Sequence, residues 1–384
     1  MHVIALKMLM GDRAKYIGII IGLTFASLLI TQQLSIFVGA MARTYGFITD
    51  AGLADIWVMD PKVQFLDDVK PLQETQLFRV RGVDGVQWAV PLYKGLLKAR
   101  LVNGTFQTVI VIGLDDASLI GGPAVMVAGQ LVDLRRSDGI VVNTVAAGDK
   151  LARHLPDGTV VPLQIGDTVE LNDHRAIVVG LCEVSRTFQS QPVVYTTYSR
   201  ATTFAPRERK RLSFVLVKAQ SGEAVEVLSQ RIQRVTGLAA YPRDAFAQLT
   251  MQYYMKYTAI PINFGVAVAL GFLVGTAVAG QMFYTFTLDN LRHFGVLKAM
   301  GTPNSTLRQM ILLQALLVGS IGYGLGVGLA SLFGYAMRNT ELAFRLPWQL
   351  LGLSAAAVML ICMGSAFVSM RKVMRLEPAV VFRG

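Results

Sequence analysis

The sequence predicts a membrane protein with four transmembrane α-helices and a large α+β domain between the first and second helices. The chain of 384 residues is 53% hydrophobic and only 16% charged, which is too apolar for an ordinary soluble protein. The apolar residues concentrate in four stretches, each reaching the roughly 20 residues that a helix needs to cross a bilayer. About 215 residues of ordinary composition separate the first stretch from the other three. This one-plus-three layout predicts an integral membrane protein.

The boundaries of the predicted segments follow from where the apolar stretches begin and end. In chain order they are residues 1–15 for a cytoplasmic N-terminal segment, 16–41 for transmembrane helix 1, 42–257 for an extracytoplasmic domain, 258–287 for transmembrane helix 2, 288–304 for a short cytoplasmic helix, 305–337 for transmembrane helix 3, 347–370 for transmembrane helix 4 and 371–384 for a cytoplasmic tail. A cleaved signal peptide over residues 1–42 is the alternative for the first stretch, but its apolar core exceeds the roughly 7–15 residues typical of such peptides. The first 15 residues form either an interfacial helix or an extension of helix 1.

The distribution of charge predicts the orientation. The net charge is +11, yet the large insert is nearly balanced, with 24 basic and 21 acidic residues. The N-terminal segment, the loop near Arg292 and the tail contribute +2, +2 and +3. Because basic loops stay on the cytoplasmic side, both termini and the Arg292 loop are predicted to be cytoplasmic. The basic run 207–211 in the insert favours a solvated turn over a docking patch, and no nucleic-acid partner is predicted.

The insert alternates between strand and helix signals. Asn103-Gly104 predicts a tight hairpin, because both positions of such a turn need positive φ. Gly237 marks the end of a helix with apolar residues at helical spacing. The predicted strands are 54–59, 96–101, 106–112, 168–171, 175–181, 193–197 and 213–218, and the predicted helix is 223–236. Residues 244–257 contain no helix breaker and predict one continuous helix into transmembrane helix 2. The alternative is a separate short helix with a bend near Pro261.

The sequence contains no residues that predict catalysis. A phosphate-binding Gly-x-x-x-x-Gly-Lys-Ser/Thr motif does not occur, so any nucleotide must be bound by another chain. The four histidines have neither the spacing nor the cysteine partners of a zinc site. We therefore predict no catalytic residue, no cofactor site and no metal site in this chain. A membrane-anchored enzyme is the weakest of the functional classes considered.

The informative segment lies between transmembrane helices 2 and 3 and predicts a short amphipathic helix. Its residues are Asp289, Asn290, Leu291, Arg292, His293, Phe294, Gly295, Val296, Leu297, Lys298, Ala299, Met300 and Gly301. Asp289 or Asn290 can cap the helix, Gly301 can end it, and Thr302-Pro303 can begin the next one. The apolar residues Leu291, Phe294, Leu297 and Met300 recur on roughly one face, with Arg292 and Lys298 at its rim. This pattern suits a lever in the groove of a partner, and it equally suits a helix lying on lipid headgroups.

Small residues recur at helical spacing in the apolar stretches. Gly18 and Gly22 lie four residues apart in the first stretch, as do Gly271 and Gly275 in the second. A third stretch has glycine at every second position over 322–328. Such faces allow close packing, either between helices of one chain or between two copies.

Three segments resemble the MacB/FtsX-type ABC transporter permeases. Residues 292–301, Arg-His-Phe-Gly-Val-Leu-Lys-Ala-Met-Gly, resemble the segment E-[IY]-[GA]-x-L-[KR]-A-[LM]-G of that family, although His293 stands where many relatives carry an acid. Residues 169–181 and 375–383 are similar to two further family segments, and the one-plus-three layout is similar as well. Within the family the likeness is greatest to DevC-like permeases, which lack a fused ATPase domain.

The resemblance implies a function for each part of the chain. The chain would be a non-catalytic permease subunit in the bacterial inner membrane, with ATP and magnesium bound by a separate ABC ATPase subunit. Residues 289–301 would be the coupling helix that docks on this ATPase. A second copy of the chain, a periplasmic adaptor (membrane-fusion) protein and an outer-membrane channel would complete a tripartite export assembly. The alternative is FtsX-like transmembrane signalling, which regulates an external partner such as a cell-wall hydrolase.

Overall fold

A computed structural model describes residues 2–101, 103–155, 158–206, 212–338 and 340–374. The basic run 207–211 and the tail segment 375–383 lie outside the described residues. The chain divides into two compact units. One comprises Met1–Ala40 with Ala259–Gly384, and the other is Met41–Thr258.

Eleven helices are found in the described part of the chain. They are α1 (His2–Gly11), α2 (Arg13–Asp50), α3 (Thr75–Arg81), α4 (Thr144–Gly148), α5 (Tyr198–Phe204), α6 (Val225–Thr236), α7 (Arg243–Tyr257), α8 (Ile260–Asp289), α9 (Leu291–Ala299), α10 (Asn304–Ala336) and α11 (Trp348–Met374). A 3₁₀ helix covers Leu131–Arg135.

The same described residues form twelve strands. They are β1 (Ile56–Met59), β2 (Val86–Arg100), β3 (Phe106–Leu114), β4 (Val125–Ala128), β5 (Gly139–Asn143), β6 (Arg153–His154), β7 (Val160–Val161), β8 (Thr168–Leu171), β9 (His174–Glu183), β10 (Val193–Thr197), β11 (Phe214–Ala219) and β12 (Ala239–Pro242).

The helical unit contains the long apolar helices. By length and composition, α2, α8, α10 and α11 can each cross a bilayer. Helix α1 ends at Gly11 and is separate from α2, so the N-terminal segment is not an extension of the first long helix. Buried residues from α1, α2, α8, α9, α10 and α11 form one apolar cluster, which includes Leu9, Ile19, Phe283, Met310 and Ile361. The predicted fold class is therefore confirmed for this unit.

The inserted unit is built on a ten-stranded sheet. Its strand order is β12-β1-β11-β2-β3-β10-β5-β9-β4, and β8 pairs with both β2 and β9. The long strand β2 joins two sets of strands, because its residues 86–92 pair with β11 and its residues 93–100 pair with β3. Apolar clusters lie on the faces of the sheet and bury Trp57, Tyr195 and Phe214. The predicted α+β class of the insert is confirmed.

Local turn chemistry explains why the predicted hairpins form. In the β8–β9 hairpin, Asn172 and Asp173 have φ values of +49° and +65°, which a two-residue turn requires. The predicted β2–β3 hairpin also forms, but its connection spans five residues between Arg100 and Phe106, so it is longer than the predicted tight turn, and Gly104 supplies its left-handed conformation with φ of +82°. Helix α6 ends at Gly237, whose φ of +71° is the left-handed conformation of a helix stop.

The predicted continuous helix from residue 244 into the second apolar stretch is wrong. Helix α7 ends at Tyr257, because Thr258 adopts an extended conformation with φ of −120° and ψ of 157°. Helix α8 begins at Ile260, so Thr258 and Ala259 separate the two helices. Pro261 lies in the first turn of α8, where its missing N–H costs nothing, so it begins a helix and does not bend one.

Candidate coupling site

Helix α9 follows α8 with a single residue between them. That residue, Asn290, has φ of −92° and ψ of 6°, and its side-chain amide donates to the carbonyl of Phe286 at 2.9 Å. Asn290 occupies the N-cap position of α9, but its side chain makes no cap hydrogen bond to that helix, which corrects the predicted side-chain cap. Asp289 does not cap α9 either, since its carboxylate pairs with Lys15 at the start of α2.

The C-terminal end of α9 is a Schellman motif. Gly301 has φ of +87° and donates its N–H to the carbonyl of Lys298 at 3.1 Å. Thr302 donates to the carbonyl of Leu297, also at 3.1 Å. These two bonds satisfy carbonyls that would otherwise lack partners, and they need a residue that tolerates positive φ. Gly301 therefore ends α9 as predicted, and α10 begins at Asn304, directly after Pro303 and one residue before the predicted start of transmembrane helix 3.

The apolar face of α9 is turned into its own chain. Phe294 is 1% exposed and Leu297 is 6% exposed, and both belong to the apolar cluster of the helical unit. By contrast, Val296 is 42% exposed and Met300 is 68% exposed. The interpretation of Leu291, Phe294, Leu297 and Met300 as one face presented to a partner is therefore wrong for Phe294 and Leu297. Only Met300 of that set is strongly exposed, and Leu291 is half-buried.

The outward face of α9 has a different composition from the predicted one. It is formed by the exposed residues Arg292, His293, Val296, Ala299 and Met300. Gly295 is buried, so the helix packs closely on that side. A small apolar patch with a basic neighbour is thus the surface that α9 offers to solvent or to another protein.

Polar bonds tie α9 and its neighbours to three other helices. The Lys15 ammonium pairs with Asp289, joining α2 to the end of α8. Lys298 donates to the carbonyl of Met374 at 3.1 Å, which joins α9 to the end of α11. The buried amide of Gln314 on α10 donates to the carbonyl of Ala5 on α1 at 2.7 Å. Sequence reasoning missed these bonds, because the partners are distant along the chain.

The four predicted packing glycines lie in one contact between α2 and α8. A Cβ at Gly22 would come within 2.6 Å of Val278, and one at Gly275 would come within 2.4 Å of Ala26. Gly18 faces Met282 and Gly271 faces Leu29. All four glycines therefore allow two helices of the same chain to approach closely.

The fold and this site define a class of protein. It is a multi-pass membrane protein in which a short helix links two spans at one end and a large α+β domain is inserted after the first span. Residues 16–235 match the MacB-like periplasmic core domain, and residues 265–378 match the FtsX-like permease C-terminal domain. The chain belongs to the MacB/FtsX family of ABC transporter permeases, as the sequence predicted.

Two relatives of similar length are also designated ABC transporter permeases. An uncharacterized ABC transporter permease of Mycobacterium tuberculosis is 26% identical over 320 residues, which cover 82% of this chain and 80% of the relative. An uncharacterized ABC transporter permease of Methanocaldococcus jannaschii is 23% identical over 239 residues, which cover 58% of each chain.

Solved structures align with part of the chain. The periplasmic region of MacB from Actinobacillus actinomycetemcomitans aligns with a TM-score of 0.37 and 16% identity, covering 55% of this chain and 96% of that one. The extracellular domain of the noncanonic ABC-type transporter YknZ from Gram-positive bacteria gives a TM-score of 0.34 and 14% identity, covering 48% and 92%.

Proposed function

We propose that this chain couples ATP hydrolysis by a separate ABC ATPase subunit to movement of its inserted domain, and that α9 is the docking element. In this proposal ATP and magnesium are bound by the ATPase, and the permease chain performs no chemistry. Both termini and α9 are cytoplasmic, and the inserted domain lies outside the bacterial inner membrane. The movement drives export together with a periplasmic adaptor and an outer-membrane channel.

The observation that carries the proposal is how α9 is held. Its inner face, with Phe294 and Leu297, belongs to the same buried cluster as residues of the long helices. Lys298 and Asp289 add polar links to α11 and α2. Because packed interiors are dense and transmit strain, a force applied to the outer face of α9 would reach the long helices directly. The outer face itself remains available for a partner.

A second copy of the chain is part of the proposal. Helix α10 has an outward stripe of small residues in which Gly324 and Gly328 are both exposed. Apart from the nearby backbone of α10 itself, no described atom lies within 4 Å of a Cβ built at either glycine. Such a stripe lets a neighbouring membrane helix come close, which supports packing of α10 against another copy. The glycines on α2 and α8, by contrast, lie in the contact between these two helices of the same chain.

A single substitution tests the docking role of α9. Val296→Asp places a charge in the exposed apolar patch without disturbing the buried face. We expect it to lower the affinity of the cognate ATPase subunit by about tenfold or more, because an uncompensated charge in a contact costs several kcal/mol. Co-purification of the ATPase and its stimulated hydrolysis in reconstituted membranes measure the effect.

Val235→Asp provides the matched control. Val235 is also an exposed valine, on α6 in the inserted unit. We expect its substitution by aspartate to leave ATPase binding unchanged. If Val296→Asp retained as much ATPase as Val235→Asp, α9 would not be the docking element.

A further inference from the structure

The inserted unit contains a cavity that the coupling role of α9 does not use. Its volume is about 690 Å³. It lies between β2, the segment 65–71, the loop 187–191 and the last turns of α7. Pockets of roughly 300–1,000 Å³ hold small molecules of drug-like size. The cavity is thus large enough for an organic ligand and is bounded by residues of one unit.

Aromatic rings form one wall of this cavity. Phe188 and Tyr254 have ring centroids 5.0 Å apart, and Phe65 meets Tyr254 edge to face at 5.6 Å. Phe65 is in turn stacked on Tyr253 at 4.1 Å, which fixes its orientation. Leu96 and Val69 add apolar surface. Such a wall favours the apolar or aromatic body of a ligand.

A charged pair lies beside the aromatic wall. The ammonium of Lys94 on β2 lies 2.5 Å from a carboxylate oxygen of Asp67. Lys94 is held in place by its backbone, whose N–H donates to the Ser213 hydroxyl at 2.9 Å. A buried ammonium needs a partner, and Asp67 provides it.

Lys94 and Asp67 differ in how far their charged groups are exposed to a ligand in the cavity. The Lys94 side chain is only 8% exposed and is directed to Asp67, whereas the Asp67 side chain is 42% exposed. Among the described residues that line the cavity, Asp67 thus presents the more exposed charge, and the Tyr254 hydroxyl hydrogen-bonds to the same carboxylate. Aromatic faces attract cations, and a neighbouring carboxylate strengthens that preference. An anionic ligand would be repelled by Asp67 and would find the ammonium already paired.

The geometry points to a binding site for an organic cation with an apolar or aromatic body, held by the Asp67 carboxylate and by the rings of Phe65, Phe188 and Tyr254. The cationic group lies at Asp67 and the body lies along the aromatic wall. Nothing in this assignment depends on docking of an ATPase, so the site and the coupling role stand or fall separately.

Three probes of one shape test the assignment. The full-length chain in zwitterionic phosphatidylcholine nanodiscs is titrated with 1-naphthylmethylammonium, 1-naphthylmethanol and 1-naphthoate, and binding to empty nanodiscs is subtracted. We expect the cation to bind most tightly and 1-naphthoate most weakly. Asp67→Asn should weaken binding of the cation by about tenfold. It should strengthen binding of 1-naphthoate, because Lys94 then lacks its counter-charge, and a loss of folding would not produce that reversal.

Two further variants complete the experiment. Asp68→Asn makes the same change at the adjacent acid, which pairs with Lys70 and does not line the cavity, and it should leave all three affinities unchanged. Phe188→Leu keeps an apolar side chain on a loop but removes one ring, and it should weaken cation binding even if Asp67→Asn does not fold. Equal or tighter binding of 1-naphthoate by the unsubstituted chain would overturn the assignment. Absence of specific cation binding would also overturn it, as would a cation affinity that neither Asp67→Asn nor Phe188→Leu changes.

Discussion

At the scale of single residues, Asn290 and Gly301 bound α9 and make it a helix separate from α8 and α10. Asn290 leaves α8 in a conformation that is not helical, and its amide satisfies a carbonyl at the end of that helix. Gly301 adopts φ of +87°, which costs a residue with a Cβ roughly 1–2 kcal/mol. Open space surrounds Gly301, so this cost is purely conformational. Two residues thus set the length of the element that we propose to meet the ATPase.

Ionisation of Tyr254 lowers the stability of the inserted unit at alkaline pH. Burial raises the pKa of Tyr254 to about 12, and the negative charge of Asp67 adds to the rise. A raised pKa in the folded state stabilises the fold fully below the unfolded pKa of about 10. That stabilisation is lost as pH rises from 10 through 12. Tyr254→Phe should therefore reduce the fall in unfolding free energy over this range by on the order of 1 kcal/mol.

Urea unfolding of the full chain in detergent, followed by tryptophan fluorescence at pH 8 and pH 11, measures this difference. Tyr257→Phe is the control, because that ring is strongly exposed. Identical pH dependence in Tyr254→Phe and the unsubstituted chain would contradict the expectation. Tyr195, whose pKa burial also raises, keeps part of the dependence in both proteins.

At the scale of elements, α9 has one face that stabilises the fold and one that is free. Phe294→Ala removes a fully buried ring from the apolar cluster and should cost about 3 kcal/mol or more. Met300→Ala removes an exposed side chain and should change stability by less than about 0.5 kcal/mol. Thermal unfolding of the two variants in detergent compares them. Equal melting temperatures, or a larger decrease for Met300→Ala, would contradict this assignment of the two faces.

The sequence predicts the positions of the elements more accurately than it predicts which of their faces are buried. The Asn103-Gly104 turn and the glycines after α6 and α9 identify their elements because local backbone conformation depends on few neighbouring residues. The period of α9 shows that Phe294 and Leu297 share a face, but it cannot show whether that face meets the chain's own helices or a partner. The short strand β12 gave too few residues for a pattern. The pairing of Lys94 with Asp67 was missed, although a lysine within a buried strand is itself a signal.

At the scale of the whole molecule, the layout of charge and apolar length predicts the membrane orientation. The loop containing α9 and the N-terminal segment are both basic, and the inserted domain is nearly balanced. Our proposal needs α9 on the cytoplasmic side, where ATP is available, and the inserted domain on the other side. One cysteine experiment can test both placements.

The test compares Ala299→Cys on the exposed face of α9 with Val235→Cys on the exposed face of α6. Both native cysteines are buried, and burial raises the pKa of Cys182 to about 12, so little thiolate is present near neutral pH. We expect a membrane-impermeant maleimide to label Val235→Cys in intact spheroplasts and to label Ala299→Cys only after the membrane is opened. Labelling of Ala299→Cys from outside would place α9 where no cytoplasmic ATPase can reach it, and the coupling proposal would have to be abandoned. The cation site would be unaffected by that result, because it requires only the folded inserted unit.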